Sequence, residues 1–169
     1  NAGAGTLTIL GGSGETIGLD GTTASTTAST VSTICNGTAC GLTLVQSELS
    51  DISAAKLVIG DSSSGKMYID GVTLSHISGG VTLNSSGSNG SVEFGAGGAT
   101  IKLGTINAGN GITINGDVSV AQAAIFNADY DANGTGKLII ASGDAITSTD
   151  NQSISITAND IDIYSLGTI

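Results

Sequence analysis

The sequence has no proline, no arginine and no tryptophan, and it carries little charge: four lysines stand against fourteen acidic residues, a formal net charge of −10. Each shortage excludes something. Without arginine, and with lysines scattered at 56, 66, 102 and 137, the chain lacks the clustered cations that phosphate contacts require, so no nucleic-acid partner is expected. An anionic membrane surface is disfavoured for the same reason, and no stretch approaches the roughly 20 consecutive apolar residues of a membrane span. Aromatic residues make up 3% of the chain. The apolar mass is therefore Val, Ile, Leu and Ala, which predicts a narrow interior of stacked aliphatic side chains. Charged residues are 11%, against about a quarter in an average domain, which leaves Gly, Ser, Thr and Asn to make the surface.

What is present is a period. From Val72 to Ile114 an apolar, polar, apolar triplet recurs: Val72-Thr73-Leu74, Val81-Thr82-Leu83, Val92-Glu93-Phe94, Ile101-Lys102-Leu103 and Ile112-Thr113-Ile114. Their first positions step by 9, 11, 9 and 11, so every second triplet falls 20 residues on and aligns Val81 with Ile101 and Val92 with Ile112. A unit of about 20 residues holding two short strands cannot bury its own apolar face and must stack on its neighbours. The expected fold is all-β, a parallel β-helix (β-solenoid) with coils of about 20 residues. The missing proline fits: in a stacked strand each N–H can donate to the adjoining coil, and proline would remove that donor. With 27 glycines the turns rest on Gly, Asn and Asp instead.

One domain spanning 1–169 is expected, less regular over 1–40 and regular over 41–169. Thr6-Leu7-Thr8-Ile9-Leu10 and Glu15 to Asp20 read as strands, and residues 21–33 as a low-complexity Gly, Thr, Ser and Ala excursion. Cys35 and Cys40 flank an Asn-Gly turn signal, which makes a local disulfide sterically reasonable; the alternative is two free thiols beside a turn. A disulfide would imply an oxidising compartment. Leu49 and Ile52, three apart behind Ser47, predict one helical turn. After Ile114 the coils lengthen, with 23 residues from Leu138 to Ile161 and a projecting polar loop at 127–136. Neither end shows an obvious cap, and a chain that starts at Asn1 without Met or a signal-peptide pattern is expected to be a segment of a longer chain or filament.

Gly41-Leu42-Thr43-Leu44, Glu48-Leu49, Ile52 and Leu57-Val58-Ile59-Gly60 resemble the "LTL…EL..I…L.IG" signature of β-strand-repeat proteins related to filamentous haemagglutinin. The likeness returns in Asn133 to Gly143 and in Ile154 to Ile163, so it covers roughly residues 41–169. It implies a right-handed parallel β-helix at a cell surface or outside the cell, serving as adhesin, stalk or fibre component.

Few residues could carry chemistry. Asp129-Tyr130-Asp131-Ala132-Asn133-Gly134 matches the first half of a calcium loop, with Asp129, Asp131 and Asn133 as ligands, but its twelfth position falls on Ile140 where a bidentate Glu is needed. A carboxylate from another coil, such as Asp150, would have to complete it; the plainer reading is an acidic turn. Gly11-Gly12-Ser13-Gly14-Glu15 is one imperfect copy of a calcium nonapeptide, too little to build a site shared between turns. His76, the one histidine, has no second His or Cys beside it and reads as a solvated turn residue. Asp160 and Asp162 share one side of a strand whose other side carries Ile161 and Ile163, which describes a solvent face more simply than a catalytic pair. Asn-x-Ser/Thr sequons stand at Asn36, Asn84, Asn89, Asn133 and Asn151, each in an expected turn, and would matter where a glycosylation system acts.

The expectation is a non-enzymatic structural module of an extracellular filament, appendage or adhesin stalk. Its partners would be copies of itself or neighbouring repeat modules, and it would need no cofactor. A calcium- or glycan-binding surface module is the alternative, and a polysaccharide-acting β-helix enzyme comes third, since the carboxylate and basic clusters and sugar-stacking aromatics of such clefts are missing.

Overall fold

In the computed structural model, which describes residues 2–21, 35 and 40–164, the chain winds as a parallel β-helix of three sheets. Taken along the chain, β1 (Gly3–Ile9) and β2 (Ile17–Asp20) are followed by β3 (Leu42–Val45) and the short helix α1 (Gln46–Ser50). Three full coils follow: β4 (Ala54–Ile59), β5 (Met67–Asp70) and β6 (Val72–Leu74); β7 (Val81–Ser85), β8 (Val92–Phe94) and β9 (Ala99–Ile101); β10 (Leu103–Ala108), β11 (Ile112–Ile114) and β12 (Val118–Val120). A fourth holds β13 (Ala124–Asn127), β14 (Lys137–Ile140) and β15 (Ile146–Ser148), and the described part ends with β16 (Ile154–Thr157) and β17 (Asp160–Ile163). The first sheet runs β1-β4-β7-β10-β13-β16, the second β3-β2-β5-β8-β11-β14-β17 and the third β6-β9-β12-β15, with every pairing parallel.

Period-two alternation sends every second side chain inward, and the parallel register stacks those side chains into columns. In the first sheet one column reads Ile9, Ile59, Leu83, Ile106, Phe126, Ile156. In the second, Leu44, Leu19, Ile69, Phe94, Ile114, Ile140, Ile163 stand in line. Val72, Ala99, Val118 and Ile146 do the same in the third. The interior is thus the expected aliphatic stack, with Phe94 and Phe126 as its aromatic members, both fully buried. The intervening residues face out: Thr8, Val58, Thr82, Thr105, Ile125 and Ser155 on the first sheet, and Thr73, Thr100, Ser119 and Thr147 on the third.

Two expectations are corrected. The coil has three strands, not two, so the 20-residue step holds for Val92 on Ile112 but not for Val81, which lies beside Leu103, or Leu83, which lies beside Ile106. Ile101-Lys102-Leu103 is a corner, with Ile101 ending β9 and Leu103 opening β10 in another sheet. The longest sheet has seven strands, and its six intervals of ~4.8 Å give a rod of about 29 Å.

The second correction concerns the ends. After β2 the chain doubles back, so that β3 pairs with the outer edge of β2 and lies one rung below the first coil. The helical turn expected near 47–52 is α1, and it stands where the third sheet would otherwise continue below β6. Gln46 Nε2 donates to the Thr73 carbonyl at 3.0 Å and Gln46 Oε1 accepts the Thr73 N–H at 2.8 Å. A side-chain amide thereby supplies the pair of hydrogen bonds that an adjoining strand would give to an open edge. Leu49 is fully buried, and Glu48 Oε2 accepts the Val45 N–H at 3.0 Å at the helix start. The N-terminal end is capped after all.

Turns between coils approach one another closely, which explains glycine where it cannot be replaced. Gly98 has φ +62°, and a Cβ there would lie 2.1 Å from the Asp117 carbonyl oxygen. Inter-coil N–H donors such as Val92 to Gly111, Ala99 to Asp117 and Val118 to Ala145 continue the ladders through the strand starts, where proline would break them.

Candidate functional site

The polar loop at 127–136 projects between β13 and β14, as expected. It leaves the core at Ala128, which is buried and donates its N–H to the Thr157 carbonyl of the next coil at 2.8 Å. Asp129 Oδ2 accepts the Gly134 N–H at 3.2 Å, closing the loop, and Gly134 takes φ +78°. Asp129 Oδ1 is buried without a hydrogen-bond partner. Asn133 divides its amide: Nδ2 donates to Asp131 Oδ2 at 2.8 Å, and Oδ1 accepts the Thr135 N–H at 2.9 Å. The three residues singled out as calcium ligands are therefore on one compact turn. Its twelfth position, Ile140, belongs to a core column between Ile114 and Ile163 and offers no oxygen. The Asp150 turn closes on itself, with Gln152 Nε2 donating to the Asp150 carbonyl at 3.1 Å and the Gln152 N–H to Ser148 Oγ at 2.8 Å. Among the described residues no three His, Cys, Asp or Glu side chains gather as a metal site.

Cys35 and Cys40 are bonded, with a Cα–Cα distance of 5.3 Å across five positions. The disulfide is the expected one, and it points to an oxidising environment. Of the sequons, Asn36 lies outside the described residues. Asn89 is exposed in the turn before β8, and Asn151 is exposed with φ 53°. Asn133 is exposed, although its amide nitrogen is engaged with Asp131. The expectation that all five occupy turns fails at Asn84, which is inside β7 with its Oδ1 buried, in line with Asn107 and Asn127 of the adjoining coils. An Asn-x-Ser triplet meets the period of a strand as readily as that of a turn, so the motif alone does not separate them. The turns around Ser13, Ser63 and Asn89 stack to line a trench of about 430 Å³ with Lys66 at its side, walled by hydroxyls and backbone.

The charged groups pair across rungs. Lys137 Nζ lies 2.7 Å from Asp160 Oδ2 and 3.4 Å from Asp162 Oδ2, on the outward face where the sequence placed those carboxylates. Its hydrogen bond and charge hold the Asp160 carboxyl below the ordinary carboxylate value, helped by the Ile161 N–H, and the two carboxylates hold the Lys137 ammonium above its ordinary value. On the same sheet Lys66 bonds Glu93 and sits 4.6 Å from the Tyr68 ring centre, while Asn115 Nδ2 donates to Glu93 Oε1 at 3.2 Å. Partial burial works to lower the Lys66 pKa, and Glu93 with Tyr68 outweighs it, so the net shift is upward. Asp61 is held low by the Ser63 hydroxyl and N–H, assisted by Ser64. His76 is exposed in a turn. The Lys137 and Lys66 pairs tie neighbouring coils together.

The gathered features define a class, the parallel β-solenoid with a polar, weakly charged shaft. Comparison with protein-family models, curated proteins and solved structures returns no match.

Proposed function

We propose that the chain is a structural module of an extracellular filament, appendage or adhesin stalk, whose work is to be a stiff shaft that stacks coil on coil with neighbouring modules. The observation that carries this reading is the unbroken run of aliphatic columns through three parallel sheets, because such a stack resists bending and local opening together. The disulfide and the hydroxyl-rich exterior support a location outside the cell. The shaft reading is tested by pulling the chain from its two ends in a force spectrometer. Unfolding in one or two high-force steps is expected, and gradual yielding at low force would sink the reading.

A second reading, calcium held by the 129–134 turn, is favoured by the buried, partnerless Asp129 Oδ1 on a carboxylate whose Oδ2 already accepts the Gly134 N–H. Titration calorimetry with calcium, on the wild type and on Asp129→Ala with Asp131→Ala, decides it. Heat lost in the double variant supports the site, and no heat in the wild type removes it.

A further inference from the structure

We propose that the trench at the corner between the first and second sheets binds a neutral oligosaccharide, laid along the shaft across three successive turns. The inference goes beyond the shaft reading and does not depend on it.

The trench forms where the turns before β2, β5 and β8 stack, and its volume is about 430 Å³, within the range of roughly 300–1,000 Å³ of small-molecule clefts. It is stiffly built. The Gly14 N–H donates to the Ser63 carbonyl at 2.7 Å and the Gly65 N–H to the Glu15 carbonyl at 2.9 Å, so backbone ties the first turn to the second. Asp61 Oδ1 accepts the Ser63 N–H at 2.8 Å and the Ser64 hydroxyl at 3.2 Å, which fixes the second turn. The third closes on itself, with the Gly90 N–H on the Gly87 carbonyl at 2.8 Å. A Cβ on Gly65 would lie 2.6 Å from the Gly14 carbonyl oxygen, so the wall there is bare backbone. A cleft ordered before its ligand arrives spares binding the cost of ordering it.

The lining selects the ligand. Among the described residues that form it there is no apolar side chain and no carboxylate, which disfavours an acyl chain or an apolar peptide and offers a metal cation no charged ligand. Its one cation, Lys66, is already bonded to Glu93, and Asp61 stands behind the Ser63 turn, so a polyanion gains no net attraction. What is left is hydrogen-bonding capacity. Ser13 on the first turn, Ser62 on the second, and Ser88 and Asn89 on the third are exposed, and among the described residues their side chains have no partner. They offer donors and acceptors over two intervals of ~4.8 Å, about 10 Å in all, the reach of a disaccharide unit. Past Lys66 stands the half-buried Tyr68 ring, whose register neighbour on β2 is Gly18, with no side chain to cover it. A hollow of about 80 Å³ between Tyr68, Asp70, Glu93 and Gly95 lies beyond. A sugar continuing out of the trench therefore meets an aromatic ring and carboxylate acceptors. An uncharged, elongated, hydroxyl-dense ligand satisfies all of these features together.

The test is an NMR titration of the 1–169 chain, produced in a host that does not glycosylate it so that Asn89 is bare. The probes are cellotetraose and chitotetraose, both linear and neutral, with a heparin tetrasaccharide as the anionic comparison. At least one neutral probe should shift the amides of 13–14, 62–66, 87–90 and Tyr68, saturating at millimolar concentration, and heparin should not. In Ser62→Ala with Ser88→Ala, two exposed turn positions outside the core columns, the affinity should fall at least ~5-fold. Thr147→Ala, on the outer face of the third sheet, should leave it unchanged, and amide shifts away from the substituted turns check that each variant is folded. The proposal is overturned by no saturable shift with either neutral probe, by shifts scattered over the shaft, by tighter binding of the heparin fragment, or by full affinity in the folded double variant. None of these outcomes bears on the shaft reading, which the force measurement tests by itself.

Discussion

At the scale of the residue, the columns make each inward side chain answerable to two neighbours, one above and one below. Phe94, between Ile69 and Ile114 and fully buried, fills more of the interior than any aliphatic residue in its column. Phe94→Ala should cost about 3–5 kcal/mol in urea unfolding, and a loss below about 1 kcal/mol would show that the column is not packed as described. Lys137 offers a gentler test. In Lys137→Ala the Asp160 carboxyl should titrate higher, toward its ordinary value, as followed by carbon NMR. The sign runs accordingly: a carboxyl held low in the folded chain contributes stability above the unfolded Asp pKa of about 3.9, and that contribution is lost as pH falls through the lower folded value. The raised Lys137 pKa acts in the opposite window, its contribution present below the unfolded lysine pKa of about 10.4 and lost as pH rises through the higher folded value. Both groups are open to solvent, so the effect on melting is small and the NMR titration is the sensitive readout.

At the scale of the element, the instructive part is β3 with α1. Gln46→Ala removes a donor and an acceptor from the Thr73 backbone, so the Thr73 amide should exchange faster while amides of β10 keep their rates. Equal acceleration of both would mean that the cap is not a local device. Leu49→Ala, at a fully buried helix position, should destabilise by about 2–5 kcal/mol. How far the sequence discloses its fold is visible here. The strands of the middle coils were legible, because Val-Thr-Leu and its variants state a period-two alternation in three residues. The three-sided coil was not, because such triplets look alike in every sheet and a corner such as Ile101-Lys102-Leu103 imitates a strand. The turn at α1 could be read from Leu49 and Ile52. The cap could not, since Gln46 meets a backbone 27 residues downstream through its side chain, and no local pattern announces that. For the candidate site, the acidic loop was legible in its ligand types, as was the failure at Ile140. The open oxygen of Asp129 was not, because burial of one atom depends on how β13 and β14 flank the loop.

At the scale of the molecule, the scarcity of charge, the missing proline and the aliphatic interior describe one design. Every backbone donor is left free to bond the adjoining coil, and little on the outside disturbs the stacking. Stiffness then follows from repetition, with each rung held by two others. It fails first at a rung with one neighbour, as β16 and β17 are among the described residues. Limited proteolysis is expected to cut after β14 before it cuts within β4 to β12, and early cuts inside the middle coils would contradict the stacked core.

The central claim, a shaft of parallel coils, is most directly met by X-ray fibre diffraction from the filament in which we propose that this chain stands. The expected result is a reflection near 4.8 Å lying along the filament axis, because strands run across the shaft and coils repeat along it. A 4.8 Å reflection perpendicular to the axis, or none, would contradict the account.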